Sequence, residues 1–119
     1  MGVGYILVNY SKKELISFNH IGANKARELA GNPVSAAMVT WYMLQHTGDT
    51  VAFLSDTYGE WCFPEGTRDE ISDYRDVTDE VVKSLIEVEI LVDLGKTWVD
   101  SDEPDKIYIR ALENVWMKF

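Results

Sequence analysis

The first twenty residues contain two apolar runs separated by a polar link. Residues 5–10 and 15–18 are rich in the aliphatic and aromatic side chains that favour strands. The link between them, Ser11-Lys12-Lys13-Glu14, is polar and short, which suits a tight turn. This pattern predicts an N-terminal β-hairpin.

A short amphipathic helix is predicted next, over residues 23–30. Polar residues occupy the positions that would face solvent, and Gly31 follows as a residue that commonly ends a helix. The apolar face repeats at the helical period and is formed by Ala26, Leu29 and Ala30.

A longer helix is predicted over residues 33–46. Asn32 can cap its first turn, and Pro33 suits the first helical position, where a missing N–H costs nothing. The helix is apolar nearly all round, so we expect it in the middle of the domain and packed on more than one side. Its most buried side chains should include Met38, Val39 and Trp41.

The second half of the chain begins with a predicted strand at residues 50–54 and then loses its periodicity. Gly59, Pro64 and Gly66 interrupt residues 56–76, which are therefore expected to be irregular. A third helix is predicted to begin with Thr78 as its N-cap and to end near Val88.

Three short strands are predicted after this helix, at residues 90–92, 97–99 and 107–111. A turn over residues 93–96 should join the first two. The element order is then ββααβαβββ, which groups strands and helices irregularly. This order predicts a single α+β domain over residues 1–119, with about three helices and a largely antiparallel sheet.

The composition is that of one globular domain in a reducing environment. The chain has 119 residues, of which 46% are hydrophobic, and this length can bury an adequate core without a disulfide. Its only cysteine, Cys62, cannot form an internal bridge, which favours a cytoplasmic location. The uncharged residues 29–48 are interrupted by helix breakers and leave too short an apolar run for a membrane span of about 20 residues, so no membrane association is expected.

The charge is distributed unevenly along the chain, which has a net charge of -9. Residues 1–48 carry two acids and four bases, whereas residues 49–119 carry 18 acids and seven bases. Such a field repels nucleic-acid phosphate and attracts a basic protein. We therefore expect a protein partner with a basic surface and no direct binding of nucleic acid. The alternative is that the acids simply keep a small protein in solution.

No motif in the chain predicts catalysis, a cofactor or a metal ion. Cys62 lies among acidic and aromatic neighbours, which disfavour a reactive thiolate and indicate a small apolar plug. His20 and His46 are expected as surface or capping residues. The acidic residues 100–105 lack the glycine and closing glutamate of a calcium loop. Residues 79–99 have the helix-hairpin order of a winged-helix DNA reader but the wrong charge for phosphate.

Residues 56–76 form the most informative segment. Connections of this length are uncommon in compact domains and are usually functional or disordered. The aromatic side chains argue against disorder and are of the types that anchor protein interfaces, while the acids suit a basic partner. The alternative is that the rings cover the core and the acids hydrate the segment. The predicted partner-binding residues are Tyr58, Glu60, Trp61, Glu65, Asp69, Glu70, Asp73 and Tyr74.

Three functions are compatible with these patterns. The leading hypothesis is a small interaction module that binds and masks a basic surface of another protein, as an immunity protein, an antitoxin or another stoichiometric inhibitor does. The second is a small enzyme or ligand-binding domain with a pocket under residues 56–76. The third is a structural subunit that associates with copies of itself through exposed aromatic side chains.

Overall fold

Strands and helices alternate irregularly along the chain. The computed structural model describes residues 3–57 and 59–117, and within these ranges 31% of the fold is helical and 29% is strand. The elements in chain order are β1 (Tyr5–Asn9), β2 (Glu14–Ile16), α1 (Ala26–Gly31), α2 (Pro33–Gln45), β3 (Val51–Ser55), a 3₁₀ helix (Arg68–Asp73), β4 (Arg75–Asp76), α3 (Thr78–Glu87), β5 (Leu91–Val99) and β6 (Tyr108–Asn114).

The predicted N-terminal hairpin is present and forms the centre of a four-stranded sheet with the order β3-β1-β2-β4. β1 pairs antiparallel with β2 and with β3, whereas the two-residue β4 pairs parallel with β2. β5 and β6 form a separate antiparallel pair. The mostly antiparallel pairing, combined with three helices, confirms the predicted α+β class.

β1 is buried on both faces, which explains its unbroken apolar sequence. Leu7 lies opposite Ile16 on one face, and there the helices α2 and α3 pack against the sheet. Val8 lies opposite Leu15 on the other face, where residues 56–76 provide the cover. The sheet is therefore the middle layer between a helical layer and a layer of mostly irregular chain.

α2 contacts α1, α3 and β6, so it is packed on more than one side as predicted, but its fully buried side chains lie along one stripe. Met38 is fully buried, as predicted, but Val39 and Trp41 are only half-buried. Tyr42 is buried instead, and Leu44 is 66% exposed. The reason is geometric: the sheet, α1 and α3 cover only part of the helix circumference, and Val39 and Trp41 line open depressions beside that stripe.

The two predicted caps have different outcomes. Asn32 caps α2 as predicted, because its Oδ1 atom accepts hydrogen bonds from the backbone N–H groups of Val34 and Ser35 at 2.8 and 3.2 Å. Thr78 is the first residue of α3 and not its N-cap. Asp76 takes over the capping role, since its carboxylate accepts from Thr78 N at 2.9 Å and from the Thr78 hydroxyl at 2.6 Å.

Residues 56–76 are more regular than their sequence indicates. The 3₁₀ helix and β4 lie inside the segment, although no apolar period marks either of them. β4 is held by the backbone hydrogen bonds from Arg75 N to Lys13 O and from Val77 N to Leu15 O. A two-residue strand of this kind depends on tertiary pairing, which local sequence does not reveal.

The last part of the fold contains two long strands in place of the three short ones predicted. The expected turn over residues 93–96 is a β-bulge within β5, where the register shifts between Asp93 and Lys96. Gly95 has a φ of 101°, which suits glycine, and its N–H donates to the Asp93 carboxylate at 2.9 Å. This hydrogen bond and the Arg110 guanidinium hold the pKa of Asp93 below its usual range.

We expect Met38→Ala to lower the free energy of unfolding by about 2–5 kcal/mol, because it leaves a cavity in a fully buried layer. Leu44→Ala on the exposed side of the same helix is the matched control and should change it by no more than about 0.5 kcal/mol. Urea unfolding of both variants checks this. An equal loss of unfolding free energy in the two variants would contradict the burial of α2 along one stripe.

Candidate functional site

The aromatic side chains of residues 56–76 pack into a cap on the sheet. Phe63 is buried, and its ring stacks on Tyr10 with centroids 4.9 Å apart. Trp61 meets Phe63 edge-on at 4.9 Å and Tyr74 at 6.4 Å. These rings cover Leu15 and its neighbours on the outer sheet face, so burial accounts for a large part of this aromatic composition.

Polar contacts fix the cap in place. The Trp61 indole N–H donates to the Glu65 carbonyl at 2.7 Å, which closes a turn within the segment. The Lys13 ammonium lies 3.9 Å from the centre of the Tyr10 ring. Trp61 and Tyr74, both predicted to contact a partner, are thus half-buried within the cap. Tyr58, the other predicted aromatic contact, lies outside the described residues.

The predicted acidic contacts all lie on the surface of the cap. The five carboxylates are exposed, and three of them are on the 3₁₀ helix. The arginines of the segment bind within the chain: an Nη2 atom of Arg68 donates to the Ser55 carbonyl, and Arg75 bridges Glu14 and Glu80. The exposed acids are Glu60, Glu65, Asp69, Glu70 and Asp73. The cap therefore presents negative charge on a packed support.

Cys62 is exposed, so the expectation that it plugs the core is wrong. Its neighbours Trp61 and Phe63 turn toward the sheet, and the thiol between them faces solvent. Both histidines have other contacts: the His20 ring stacks on Tyr108 at 3.8 Å, and Nδ1 of His46 lies 2.8 Å from the Tyr42 carbonyl. The described contacts therefore assemble no cysteine-histidine pair.

A second cluster of polar side chains lies beside the end of α2, where sequence patterns did not predict one. The Tyr42 hydroxyl donates to Oε1 of Glu14 at 2.7 Å and accepts from Nδ2 of Asn9 at 2.9 Å. Asn9 also donates to Asp49 at 2.9 Å. Nε2 of His46 lies 3.2 Å from the same Glu14 oxygen. The cluster joins β1, β2, α2 and the connection between α2 and β3.

The electrostatics of this cluster follow from burial. Burial, followed by the hydrogen bond to Glu14, raises the pKa of Tyr42 above its ordinary value of 10.0. Both ring nitrogens of His46 face oxygen acceptors, namely the Tyr42 carbonyl and Glu14. Because both nitrogens are engaged, the arrangement suits a structural network better than a general base.

A faint signal for this cluster exists in the sequence. Asn9 is the last residue of β1 and Glu14 is the first residue of β2, and both strands are otherwise apolar. Polar residues in such positions need hydrogen-bond partners when they are buried. Their partners, Tyr42 and His46, lie about thirty positions away on one face of a helix, as the i, i+4 spacing requires. Only the fold brings the two pairs together.

Two of the depressions on the surface of the described chain border α2 and have the size of binding sites. A cleft of about 440 Å³ lies between α2 and α3, above the Glu14 cluster, and Trp41 and Glu87 are on its walls. An apolar groove of about 360 Å³ lies between α1, α2 and β3, with Val39 and Phe53 among its lining residues. Among the described residues of 56–76, only Arg75 lines either of these two depressions.

Comparisons with known proteins give no relative: no family model, no curated protein and no solved structure matches this chain. No helix within residues 3–57 and 59–117 has the length and apolar character that crossing a membrane requires. In the same ranges, no group of three or more His, Cys, Asp and Glu side chains is placed to hold a metal ion.

We expect Tyr42→Phe to lower the free energy of unfolding by about 1–3 kcal/mol, because it removes the buried hydroxyl that donates to Glu14 and accepts from Asn9. Tyr74→Phe is the matched control, since the buried Tyr74 hydroxyl has no hydrogen-bond partner among the residues that the structure describes. That change should be neutral or stabilising. Urea unfolding at neutral pH measures both, and a larger loss for Tyr74→Phe would reject the network.

The raised pKa of Tyr42 also makes stability depend on alkaline pH. Above about pH 10 the unfolded chain releases the Tyr42 proton while the folded chain keeps it, so stability falls as pH rises. We expect wild type to lose up to about 1.4 kcal/mol per pH unit more than Tyr42→Phe above that pH. Unfolding of both proteins at several alkaline pH values measures the difference, and parallel curves would refute it.

Proposed function

We propose that this protein is a small acidic interaction module that binds and masks a basic surface of a partner protein. Immunity proteins, antitoxins and other stoichiometric inhibitors act in this way. The observation that carries the proposal is the cap formed by residues 56–76, which exposes five carboxylates on a layer of packed aromatic rings. A charged surface that is already ordered loses little conformational entropy on binding.

The charge distribution supports the same proposal. Residues 49–119 carry 18 acids and seven bases, and the internal contacts of Arg68 and Arg75 reduce the positive charge available at the cap surface. Oppositely charged proteins are attracted before they touch, over distances close to the Debye length. A partner with a lysine- or arginine-rich surface is therefore the class that this protein would bind fastest.

A nucleic-acid partner is disfavoured by the charge of α3. This helix and the β5-β6 pair follow the order of a winged-helix DNA reader, but the helix carries Asp79, Glu80 and Glu87 against Lys83. Phosphate contacts require clustered Lys and Arg. We assign the exposed acids to contact with a basic protein, and a cytoplasmic location belongs to the proposal because Cys62 is an exposed free thiol.

The test begins by isolating a partner from the source cells with the full chain as bait and continues with association kinetics at two ionic strengths. We expect Asp69→Asn combined with Glu70→Gln to slow association several-fold and to flatten its dependence on salt, with a smaller effect on dissociation.

The matched control is Glu87→Gln combined with Glu89→Gln, which removes the same charge near the end of α3. Equal slowing by both pairs would show that net charge alone matters and that residues 56–76 are not the contact surface. Association that is independent of salt and of both pairs would reject the proposed function.

A further inference from the structure

The β5-β6 pair has two faces, and register assigns residues to each. β6 is regular, so its alternate residues Arg110, Leu112 and Asn114 share one face. Leu112 packs against the helical core, and Asn114 is buried with its Nδ2 atom donating to the Pro33 carbonyl at 3.0 Å. This first face is the inner one. The opposite face of β6 carries Ile109, Ala111 and Glu113.

Pairing places two residues of β5 on that outer face. Trp98 lies opposite Ile109, and Val92 lies opposite Glu113. The Trp98 side chain is 52% exposed and that of Val92 is 39% exposed. The inner face packs against α2 and α3. On the outer face, Ile109 and Ala111 line a depression together with Gly22 and Val34, whereas Trp98 and Val92 are exposed. The exposed Trp98 differs from Trp61, which is held in the cap.

The charge around this face selects the partner. The connection that follows β5 carries Asp100, Asp102, Glu103 and Asp105 against Lys106, and its residues from 101 to 107 are exposed. Trp98 beside this acidic connection would fit a partner that has an apolar depression bordered by lysine or arginine. A second copy of this chain fits poorly, because each copy carries a net charge of -9 and the two would repel.

We propose that the outer face of the β5-β6 pair, centred on Trp98, is the anchoring contact for the basic partner. This inference rests on the proposed function and adds to it the place and chemistry of the short-range contact. Tryptophan dominates the energy of many interfaces when a partner buries it, whereas exposed acids mainly speed association. The cap and the β5-β6 pair then have separate roles. The acids of the cap speed association with the partner, and Trp98 slows its dissociation.

The test uses two labelled peptides of equal length and charge. One is an amphipathic helix of lysine and leucine, and in the other serine replaces every leucine. Fluorescence anisotropy gives the Kd of each peptide for the full chain. We expect wild type to bind the lysine-leucine peptide more tightly, and Trp98→Ser to raise that Kd about tenfold while leaving the weak lysine-serine binding unchanged.

Leu44→Ser is the matched control, because Leu44 is a more exposed apolar residue on α2. It should leave both Kd values unchanged. Should Trp98→Ser melt below the assay temperature, chemical-shift mapping of wild type with the lysine-leucine peptide replaces it. The largest shifts should then fall on Val92, Trp98 and Ile109.

The possible failures are distinguishable. If wild type binds neither peptide, the proposed function fails and the inference fails with it. If both peptides bind equally, if Trp98→Ser binds as wild type does, or if the shifts map to the cap, only the inference fails. A dimer in the absence of peptide that Trp98→Ser converts to monomer would assign this face to a second copy and would also overturn the inference.

Discussion

The fold depends on burying β1 on both of its faces. A strand with apolar side chains on both faces must be covered on both, and the α-helices of the described chain cover only one face. Residues 56–76 supply the other with aromatic rings, which cover a large area per residue. The core therefore requires this segment whether or not its polar surface binds a partner.

The Glu14 cluster is the second constraint, because it places ionisable groups at the border of the helical core. Tyr42 contributes its ring to the core and its hydroxyl to the cluster, so the same residue fixes the position of α2 and satisfies β1 and β2. Arg75 extends the cluster from Glu14 to Glu80 on α3. β1, β2, β4, α2 and α3 are thereby held together by hydrogen bonds and ion pairs whose loss would leave buried charge unpaired.

Much of the fold was accessible from sequence because its signals are local. The polar link between β1 and β2, and the Asn32-Pro33 pair before α2, act within a few residues and predicted their elements correctly. The predicted burial of Val39 and Trp41 in α2 is wrong because composition alone does not say which neighbours are present. Trp41 is apolar yet faces a cleft, whereas Tyr42 is amphipathic yet buried.

The candidate surfaces show the same limit. The acids of residues 56–76 were predicted to be exposed, and they are. Local sequence does not predict that Trp98 is more exposed than Trp61, because the two tryptophans differ in what the fold places above them. The sequence around Gly95 predicts a turn for a related reason, since glycine with a positive φ is common to turns and bulges and only pairing with β6 distinguishes them.

The irregular register of β5 has a consequence for behaviour at high concentration. β5 pairs only with β6 among the described residues, and a long strand with an unpaired edge is a template for aggregation. Both register shifts fall within β5, so its edge is bent and its hydrogen-bonding groups cannot align with a straight strand. Trp98 and Val92 are therefore exposed beside a strand edge whose bent shape disfavours the addition of a further strand.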